Sequence, residues 1–491
     1  MNGQGKAAAD VPGASFYTLG CKLNQLETES IAAAFGRAGF TIVPWDAFPR
    51  SADRDDGSVL VINTCTVTSK AEQKARRVIR LALRKSAAPV IVTGCYARLD
   101  AEKIAAAGAE SSRLFVVPAK DSLLDLPFFL ADMSENTRGL RAAERIRRWL
   151  LTRPDAGGTE IPSRRETADG TFRFNPGVFS FHSRAFVKIQ DGCNRRCAYC
   201  RVPLARGESR SLDSVELLAR IRALETQKRA EAVLTGVNIA QYRCPETGKN
   251  LGELLCFLLD NTASIALRLS SIEAEPGFFD RAFLNALSHG RLRPHFHLSL
   301  QSGSESVLTA MGRPYGPADI RESAALLRSL KTDPFLGCDI IAGFPGETGA
   351  DFEQTLELCA GIGFAWIHAF PYSPRPGTAA RALKNRAGER ETSRRLERLL
   401  ELSRNGREAY LRRWTGRTVD AVVEAKKLPF WGVLTDNYLR IRIGRDGVPP
   451  AAERAGPDSG GLIPGTAVKC RITRLLRPGP GFFDAEGEIT P

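Results

Sequence analysis

The sequence has no run of about 18 consecutive apolar residues, so it predicts no membrane-spanning helix. Its N-terminal segment, MNGQGKAAADVPGASF, lacks the apolar core of a secretory signal, and we therefore expect a cytoplasmic protein without a membrane partner. Histidine is also scarce, with only 5 in 491 residues. His295 and His297 lie in a predicted strand, and we assign neither a catalytic role. The length suggests about three domains.

Acidic residues are fewer than basic ones. The 55 acidic side chains are outnumbered by 69 basic ones, which gives a formal net charge of +14 and a pI near 9.4. A basic surface attracts polyanions, and neutralisation of phosphates drives non-specific binding to nucleic acid. The charge therefore favours a nucleic-acid partner, although an ordinary basic surface is the alternative.

The 11 cysteines are an odd number in a chain without an evident export signal, so a disulfide framework is not expected. Clustered cysteines in such a chain point to metal binding or catalysis. Six of them fall into two groups of three. The other five are interpreted as structural, and they are Cys244, Cys256, Cys338, Cys359 and Cys470.

The strongest motif is AFVKIQDGCNRRCAYCRVP, in which Cys193, Cys197 and Cys200 form C-x3-C-x2-C after an apolar strand. A structural zinc site usually has four ligands, and no fourth Cys or His lies nearby. A [4Fe–4S] cluster held by three thiolates keeps one iron open, and that iron can chelate S-adenosylmethionine (SAM). Tyr199 is the aromatic residue typical of this position. The motif resembles that of the radical SAM superfamily.

Five apolar β-type runs alternate with helical patterns after this motif. With the strand before Cys193 they make six units, which predict an open (β/α)6 barrel with ligands at the carboxyl ends of its strands. Polar residues and glycines at these ends are interpreted as SAM contacts, although each alone is compatible with ordinary turn chemistry. Together with Tyr199, they are Thr235, Gly236, Ser270, Glu273, Gln301 and Gly343.

The second cysteine group is spread along the N-terminal region. Cys21, Cys65 and Cys95 each follow an apolar run and precede a helical pattern, for which Ser69 is a plausible N-cap in one case. In an open parallel sheet the carboxyl ends of the strands share one edge, so the three thiols should converge. Three separately buried structural cysteines are the alternative.

Five short strands are predicted near the C-terminus, and they suit a small OB-like barrel of the kind that binds single-stranded RNA. Candidate RNA contacts there are Lys426, Lys427, Tyr438 and Arg440, with Phe430, Trp431 and Arg442 as further candidates. Each of these aromatic residues is also compatible with a core position, and for Trp431 and Tyr438 the two interpretations are equally favoured. An Arg-rich linker with one predicted helix, Leu140–Leu151, is either an RNA contact or a solvated connection.

Several longer motifs occur in a fixed order, and they are TLGCKLNQLETE, INTCTVT, TGCYA, DGCNRRCAYCRVPLARGESRS, LTGVNI, SLQSGS and GFPGE. In these motifs the chain resembles the methylthiotransferase family of radical SAM enzymes from about Phe16 to its C-terminus. The resemblance implies four parts: an N-terminal domain (14–130), the linker (131–178), a radical SAM core (179–412) and a C-terminal TRAM domain (413–489). It also implies that each cysteine group holds a [4Fe–4S] cluster, the N-terminal one being auxiliary.

The GCK-x-N pattern at Cys21 is similar to the branch of the family that modifies N6-threonylcarbamoyladenosine at position 37 of tRNA. The resemblance then implies radical methylthiolation at C2 of this base, with the anticodon loop, a sulfur donor and an electron donor such as flavodoxin or ferredoxin as partners. The alternatives are isopentenyladenosine, whose enzymes more typically have GCQ-x-N, and an aspartate of a ribosomal protein. A non-enzymatic Fe–S sensor that binds RNA is the remaining hypothesis.

Overall fold

The computed structural model describes residues 11–47, 57–108, 111–132, 140–152, 168–275, 277–424, 430–444, 462–476 and 483–490. Within these ranges the chain forms two compact units. The first comprises the described residues up to Ser180 together with Leu204–Gly207, and the second comprises Phe181–Pro203 and the described residues from Glu208 onward. No helix in the described ranges combines the length and apolarity that crossing a membrane requires.

The first unit is built on a five-stranded, entirely parallel sheet with the order β2-β1-β3-β4-β5. Its strands are β1 (Gly13–Thr18), β2 (Thr41–Val43), β3 (Val59–Thr64), β4 (Val90–Gly94) and β5 (Leu114–Val116). Its helices are α1 (Lys22–Arg37), α2 (Ser69–Lys85), α3 (Cys95–Leu99), α4 (Ala101–Ala107), α5 (Leu126–Ala131), α6 (Ala142–Leu151) and α7 (Ala168–Thr171). Every residue of β3 and β4 is buried, as expected for central strands of a parallel sheet. The predicted open parallel α/β fold is confirmed.

Two local features of this unit differ from the sequence-based expectation. The N-cap of α2 is Thr68 rather than Ser69, because the Thr68 hydroxyl accepts the backbone N–H of Ala71 at 3.1 Å, while Ser69 is the first helical residue. The helix predicted in the linker exists as α6, but Ile146 and Trp149 place it in the apolar core of the first unit. The sequence pattern alone did not reveal that this helix buries an apolar face.

Parallel strands alternate with helices in the second unit. Its strands are β6 (Ala185–Lys188), β7 (Gln190–Asp191), β8 (Arg210–Ser211), β9 (Glu231–Thr235), β10 (Ala266–Leu269), β11 (Ser271–Ile272), β12 (His295–Gln301), β13 (Phe335–Ala342) and β14 (Trp366–Pro371). Its helices are α9 (Ser214–Thr226), α10 (Leu251–Asp260), α11 (Arg281–Ser288), α12 (Glu305–Met311), α13 (Pro317–Leu330), α14 (Gly349–Ile362) and α15 (Glu389–Trp414), while α8 (Val202–Arg206) precedes them and ends in the first unit.

The parallel strands form two sheets, β10-β9-β6 and β11-β12-β13-β14, while β7 and β8 pair separately as a short antiparallel ribbon. Only Ser270 separates β10 from β11, so the chain runs directly from one parallel sheet into the other. The strands therefore occupy six successive β/α positions in chain order. This arrangement confirms the predicted partial (β/α)6 barrel.

A closed five-stranded barrel with the order β15-β16-β17-β19-β18 ends the second unit. Its strands are β15 (Thr418–Val423), β16 (Trp431–Thr435), β17 (Arg440–Ile443), β18 (Ala467–Leu475) and β19 (Ala485–Thr490). All neighbouring pairs are antiparallel except β17 and β19, which are parallel. The predicted small all-β barrel is confirmed.

Candidate metal centres

The N-terminal cysteine group (Cys21, Cys65 and Cys95, the N-terminal triad) lies at one edge of the parallel sheet. Cys21 follows β1 and is the N-cap of α1, Cys65 directly follows β3, and Cys95 directly follows β4. These three strands are adjacent in the sheet, with β3 in the middle. Beyond burial, electrostatic repulsion from Cys95 and from Cys21 raises the pKa of Cys65, so both sulfurs lie close enough to Cys65 to affect its ionisation.

Two glycines allow these strand ends to approach closely. Gly20 has φ +117°, and a Cβ there would lie only 2.9 Å from the Cβ of Cys65. Gly94 has φ +98°, and a Cβ there would collide with the backbone of Thr64. Any other residue at Gly94 would combine an unfavourable backbone conformation with a clash, so the convergence of the triad depends on this glycine.

Burial and the neighbouring thiols raise the pKa of Cys65 to about 12. Burial also raises the pKa of Cys95, although Arg206 and Lys120 act in the opposite direction. A metal site needs the thiolate form, so binding of an electropositive centre here is coupled to the release of protons. The nearby cations favour that charged form.

A buried polar network supports the first turns of α1 beside the triad. Arg206 donates to the Oδ1 of Asn24 at 2.8 Å and to Glu27 at 2.9 Å, and Lys120 donates to Glu27 at 2.6 Å. The side-chain amide of Asn24 donates to the carbonyls of Leu19 and Thr64. Leu19 lies two residues before Cys21, and Thr64 lies directly before Cys65. The network therefore ties α1 to the ends of β1 and β3.

Sequence analysis did not identify Arg206 or Glu27 as site residues. They are 179 positions apart in the chain, so no local pattern connects them. One available signal was the spacing of Asn24 and Glu27, which lie on the same side of a predicted helix that also carries apolar residues. Polar residues on a buried helix face require partners, and Arg206 provides them.

The central cysteine group (Cys193, Cys197 and Cys200, the central triad) is held by its own short loop. The backbone N–H groups of Arg195 and Val202 each donate to a cysteine sulfur, to Cys193 and Cys200 respectively, at 3.4 Å. The N–H of Ala198 donates to the carbonyl of Met311, and the carbonyl of Ala198 accepts the N–H of Ala380. The loop is thus fixed from both sides, and two of its sulfurs receive backbone hydrogen bonds.

Arginines surround the central triad. Arg313 donates to the sulfur of Cys197 at 3.3 Å and to Glu273 at 2.8 Å, and Arg195 also contacts Glu273, at 3.3 Å. Burial raises the pKa of Cys200 to about 12 and also raises that of Cys193, while the backbone donors oppose the shift. Positive charge beside the loop favours the thiolate form that a metal requires.

The donor sets fit iron–sulfur clusters. Among the described residues, no three or more His, Cys, Asp or Glu side chains converge on the position of a single metal ion. A [4Fe–4S] cluster contains four separate irons, so its ligands need not meet at one point. Thiolates are the usual ligands of such clusters, and hydrogen bonds to their sulfurs are a common means of tuning them. Each triad would leave one iron without a protein thiolate.

The residues predicted to contact SAM lie at the carboxyl ends of successive barrel strands. Thr235 ends β9, Ser270 follows β10 and Glu273 follows β11, while Gln301 ends β12 and Gly343 follows β13. Tyr199 lies in the cysteine loop and packs against a buried cluster that contains Met311 and Phe344. The fold places these side chains at the barrel edge that carries the central triad. Their contact with SAM stays a prediction.

Two of these residues have unusual local features. The hydroxyl of Ser270 is buried without a hydrogen-bond partner in the described structure. Gln301 has φ +76°, a backbone conformation that non-glycine residues rarely adopt and that is enriched at functional sites.

The other predicted SAM contacts have partners within the protein. Gly236 lies against Gln190, and the N–H of Gly343 donates to Glu347 at 2.6 Å. Glu273 binds two arginines, so its role in the structure includes support of the cysteine loop.

The predicted RNA contacts are more dispersed. Lys426 and Lys427 lie outside the described residues, and the backbone N–H of Arg440 donates to Asp484 at 2.8 Å. The ring of Tyr438 stacks on His295, with centroids 3.9 Å apart, while Arg184 and Arg268 approach its face. This packing favours the core alternative for Tyr438. Trp431 also packs against the core of the five-stranded barrel.

Comparisons with known proteins match both cysteine regions. The radical SAM superfamily matches residues 187–359, which include the central triad. The Uncharacterized protein family UPF0004 matches residues 14–115, which include the N-terminal triad. Both triads therefore lie within regions that are shared with known families.

Curated relatives match nearly the whole chain. A threonylcarbamoyladenosine tRNA methylthiotransferase of Treponema pallidum is 40% identical over 474 residues, covering 89% of this chain and 95% of the relative. A protein of the same name from Aquifex aeolicus is 32% identical, covering 87% and 96%. A tRNA-2-methylthio-N(6)-dimethylallyladenosine synthase of Solibacter usitatus is also 32% identical, covering 89% and 97%.

Proposed function

The chain belongs to the methylthiotransferase family of radical SAM enzymes, and we propose that it replaces the C2 hydrogen of N6-threonylcarbamoyladenosine at position 37 of tRNA with a methylthio group. The observation that carries this proposal is the presence of two separate cysteine triads, one at the ends of three parallel strands and one in a single loop. The 40% identity to a relative named for this substrate supports the choice of base.

The two triads would hold the two [4Fe–4S] clusters used by radical SAM methylthiotransferases. Cys193, Cys197 and Cys200 would bind the one that also binds SAM, and the N-terminal triad would bind the auxiliary one. When bound, the cofactors supply the radical chemistry that cleavage of an inert aromatic C–H bond requires. The chain itself fixes the positions of the sulfurs and places arginines beside the thiolates.

The polar residues at the strand ends would position SAM at the central triad. Arg313 links the sulfur of Cys197 to Glu273, so the cysteine loop and the end of β11 are held as one unit. The buried hydroxyl of Ser270 is a candidate hydrogen-bond donor to the cofactor, because an unpaired buried polar group is costly. We assign no further side chain to proton transfer.

Binding of tRNA is supported by the net charge of +14 and by the C-terminal five-stranded barrel. The residues of the TRAM-like barrel that contact RNA, among which Lys426, Lys427 and Arg440 are our candidates, stay predictions. An electron donor such as flavodoxin or ferredoxin and a separate sulfur donor complete the proposed reaction in the cytoplasm.

The test is mass spectrometry of tRNA nucleosides from a host that lacks this modification, with and without the gene. We expect 2-methylthio-N6-threonylcarbamoyladenosine only with the gene. A methylthio derivative of isopentenyladenosine instead would retain the chemistry and correct the base. No change in tRNA, with cluster-loaded protein in the cells, would overturn the proposal.

Matched cysteine variants make this test specific. Cys193→Ala and Cys21→Ala should abolish the product, since each removes one ligand of a triad. Cys256→Ala is the control, because Cys256 lies on α10 outside both triads and donates only to the carbonyl of Ala282 among its assigned contacts. Retention of product by Cys21→Ala would contradict the assignment of the N-terminal triad.

A further inference from the structure

A row of polar side chains crosses four neighbouring strands of the parallel barrel. It consists of Ser271 on β11, His297 on β12, Asp339 on β13 and His368 on β14, and we call it the polar row. The strand register pairs Ser271 with His297 and Asp339 with His368. Sequence analysis assigned no catalytic role to His297 and did not identify Ser271, Asp339 or His368 as site residues.

Each member of the polar row contacts the member on the next strand of the sheet. The Ser271 hydroxyl lies 3.1 Å from Nδ1 of His297, and Nε2 of His297 lies 3.6 Å from Oδ1 of Asp339. The same carboxylate oxygen lies 3.3 Å from Nδ1 of His368. Oδ1 of Asp339 therefore lies near one nitrogen of each imidazole ring, and for His368 that nitrogen is Nδ1.

The polar row lies on the face of the sheet opposite its apolar side. The neighbouring strand residues Leu298, Ile340 and Ile367 are fully buried, as expected for the side that packs against the helices of a β/α barrel. The polar side chains retain access to solvent, with 18% exposure for His297, 21% for Asp339 and 54% for His368. They therefore line the inner, accessible side of the partial barrel.

The same inner face leads to the central triad. Glu273 lies two residues beyond Ser271, about 7 Å along the strand, and it binds the arginine that contacts Cys197. Tyr372 lies four residues beyond His368, just past the end of β14 and at most about 13 Å away. Like Tyr199 of the cysteine loop, it packs against the buried cluster that contains Met311 and Phe344. The polar row thus lies deeper in the barrel than the strand ends that support the cysteine loop.

We propose that the polar row, chiefly His368, binds the threonylcarbamoyl substituent of the base and so selects it over an apolar substituent. This inference rests on the proposed function. C2 and C6 lie on either side of N1 in the adenine ring, so the bond from C6 to N6 diverges from C2. When C2 faces the cysteine loop, the substituent on N6 can therefore reach a different part of the barrel, where the polar row lies. The threonylcarbamoyl group carries a carboxylate, a hydroxyl and a urea, all of which form hydrogen bonds.

The chemistry of His368 suits these groups. Nδ1 of His368 lies 3.3 Å from Oδ1 of Asp339, so the carboxylate favours the tautomer with the proton on Nδ1, in which Nε2 can accept a hydrogen bond from a hydroxyl. An imidazolium ring can instead donate to a carboxylate. The ring of Phe370 lies 4.0 Å from that of His368 and provides an adjacent apolar surface. An isopentenyl group offers no hydrogen bonds, so its burial here would leave polar groups unpaired, which sites of this kind reject strongly.

The test compares two anticodon stem-loop RNAs of identical sequence, one with threonylcarbamoyladenosine and one with isopentenyladenosine at position 37. Binding by the cluster-loaded full-length protein is measured by fluorescence anisotropy, and turnover by mass spectrometry. The wild-type protein should bind the RNA with threonylcarbamoyladenosine at least about tenfold more tightly, the factor expected from one or two added hydrogen bonds. His368→Phe, which keeps a ring beside Phe370, should abolish this preference, whereas His368→Gln should retain part of it.

The controls separate recognition from damage. His289→Gln, a matched change at a histidine outside the polar row, should keep the full preference. The melting temperature and the cluster absorbance, measured without RNA, should be unchanged in His368→Phe and His368→Gln, which would show that neither change damages the fold. If His368→Phe loses cluster, His368→Gln and the wild-type comparison still decide the question.

Two results would overturn the inference. Equal binding of both RNAs by the wild-type protein would show that the substituent is not recognised. Full preference in both His368 variants would show that other residues recognise it. Neither result resembles failure of the proposed function, in which the wild-type protein would form no methylthio product from either RNA.

Discussion

The two cysteine triads reach similar chemistry by different structural means. The central triad lies within eight consecutive positions, and backbone N–H groups of the same loop donate to two of its sulfurs. The N-terminal triad is assembled from the ends of three strands, and its convergence depends on Gly20, Gly94 and a buried network that includes Arg206. One triad carries much of its geometry in its own loop, while the other depends on the folded sheet.

This difference predicts different sensitivity to substitution. We expect the central triad to lose its cluster mainly when one of its cysteines is replaced. The N-terminal triad should also lose its cluster when a distant residue that holds the strand ends is replaced. The predictions below use this contrast, from the largest expected effect to the smallest.

The largest effect is expected when one ligand is removed from either triad. Cys193→Ala and Cys21→Ala should both lower methylthio product below detection, but only Cys193→Ala should also abolish reductive formation of 5′-deoxyadenosine from SAM. The reason is that the central triad alone would bind SAM at an open iron. The two products are measured together by liquid chromatography and mass spectrometry after reduction with dithionite.

The difference between these variants is informative only when the other cluster is intact. Iron content and the absorbance of the central cluster therefore accompany each measurement, and Cys256→Ala serves as the unaffected cysteine change. Loss of 5′-deoxyadenosine in a Cys21→Ala protein that retains its central cluster would contradict the division of roles between the triads.

Gly94→Ala should produce the next largest effect, at a residue that binds no metal. The added Cβ would collide with the Thr64 backbone at φ +98°, and strain and overpacking of this kind typically cost about 1–3 kcal/mol each. We expect lower thermal stability and loss of about half of the iron, since only the N-terminal triad is distorted. Thermal unfolding and iron analysis measure the two effects.

Gly36→Ala is the matched control in the same unit. Gly36 lies at the exposed end of α1, where a Cβ would approach nothing more closely than 4.0 Å. Alanine has a higher helix propensity than glycine, so this change should be neutral or stabilise by up to about 1 kcal/mol. Full iron loading of Gly94→Ala would argue against a role of strand approach in forming the triad.

Arg206→Met tests the buried network that supports the N-terminal triad. The substitution leaves Glu27 with Lys120 but removes two of its hydrogen bonds and that of Asn24. Removing one partner of a buried ion pair typically costs about 3–5 kcal/mol. We expect a lower melting temperature and weaker retention of iron at the N-terminal triad, with 5′-deoxyadenosine formation preserved.

An exposed arginine provides the comparison. Arg412 forms an i,i+4 pair with Glu408 on the surface of α15, and pairs of this kind contribute at most about 0.5 kcal/mol. Arg412→Met should therefore leave stability and iron content nearly unchanged. Equal melting temperatures and iron contents in the two arginine variants would show that Arg206 does not support the N-terminal triad.

The sequence predicted the fold class and the three architectural parts because their signals are local. Alternation of apolar runs with helical patterns indicated the parallel sheets, and five short strands indicated the terminal barrel. The approach of Cys21, Cys65 and Cys95 followed from a general rule, that carboxyl ends of parallel strands share one edge. Such rules place residues at an edge of a sheet without giving their contacts.

The missed features depend on contacts between distant parts of the chain. Arg206 meets Glu27 only in the folded protein, and the stacking of Tyr438 on His295 joins the terminal barrel to β12 of the parallel barrel. The polar row has no sequence signal either, because its members lie on four strands and one residue each carries little information. Side-chain pairing of this kind becomes visible only once the strand register is known.

The smallest predicted effect concerns the helix that follows Cys65. The Thr68 hydroxyl caps α2 by accepting the N–H of Ala71, so Thr68→Ala should destabilise the protein by about 1 kcal/mol. Ser69→Ala should have a smaller effect, since Ser69 is the first helical residue and alanine is the better helix former. Urea denaturation of both variants, with iron content as a second measurement, ranks the two positions.

Both capping variants should retain full iron loading, in contrast to Gly94→Ala. The cap fixes where α2 begins, whereas Gly94 controls how closely the ends of β3 and β4 approach. A larger loss of stability in Ser69→Ala than in Thr68→Ala would reverse the assignment of the cap. Loss of iron in Thr68→Ala would show that the N-terminal triad depends on the start of α2 as well as on the strand ends.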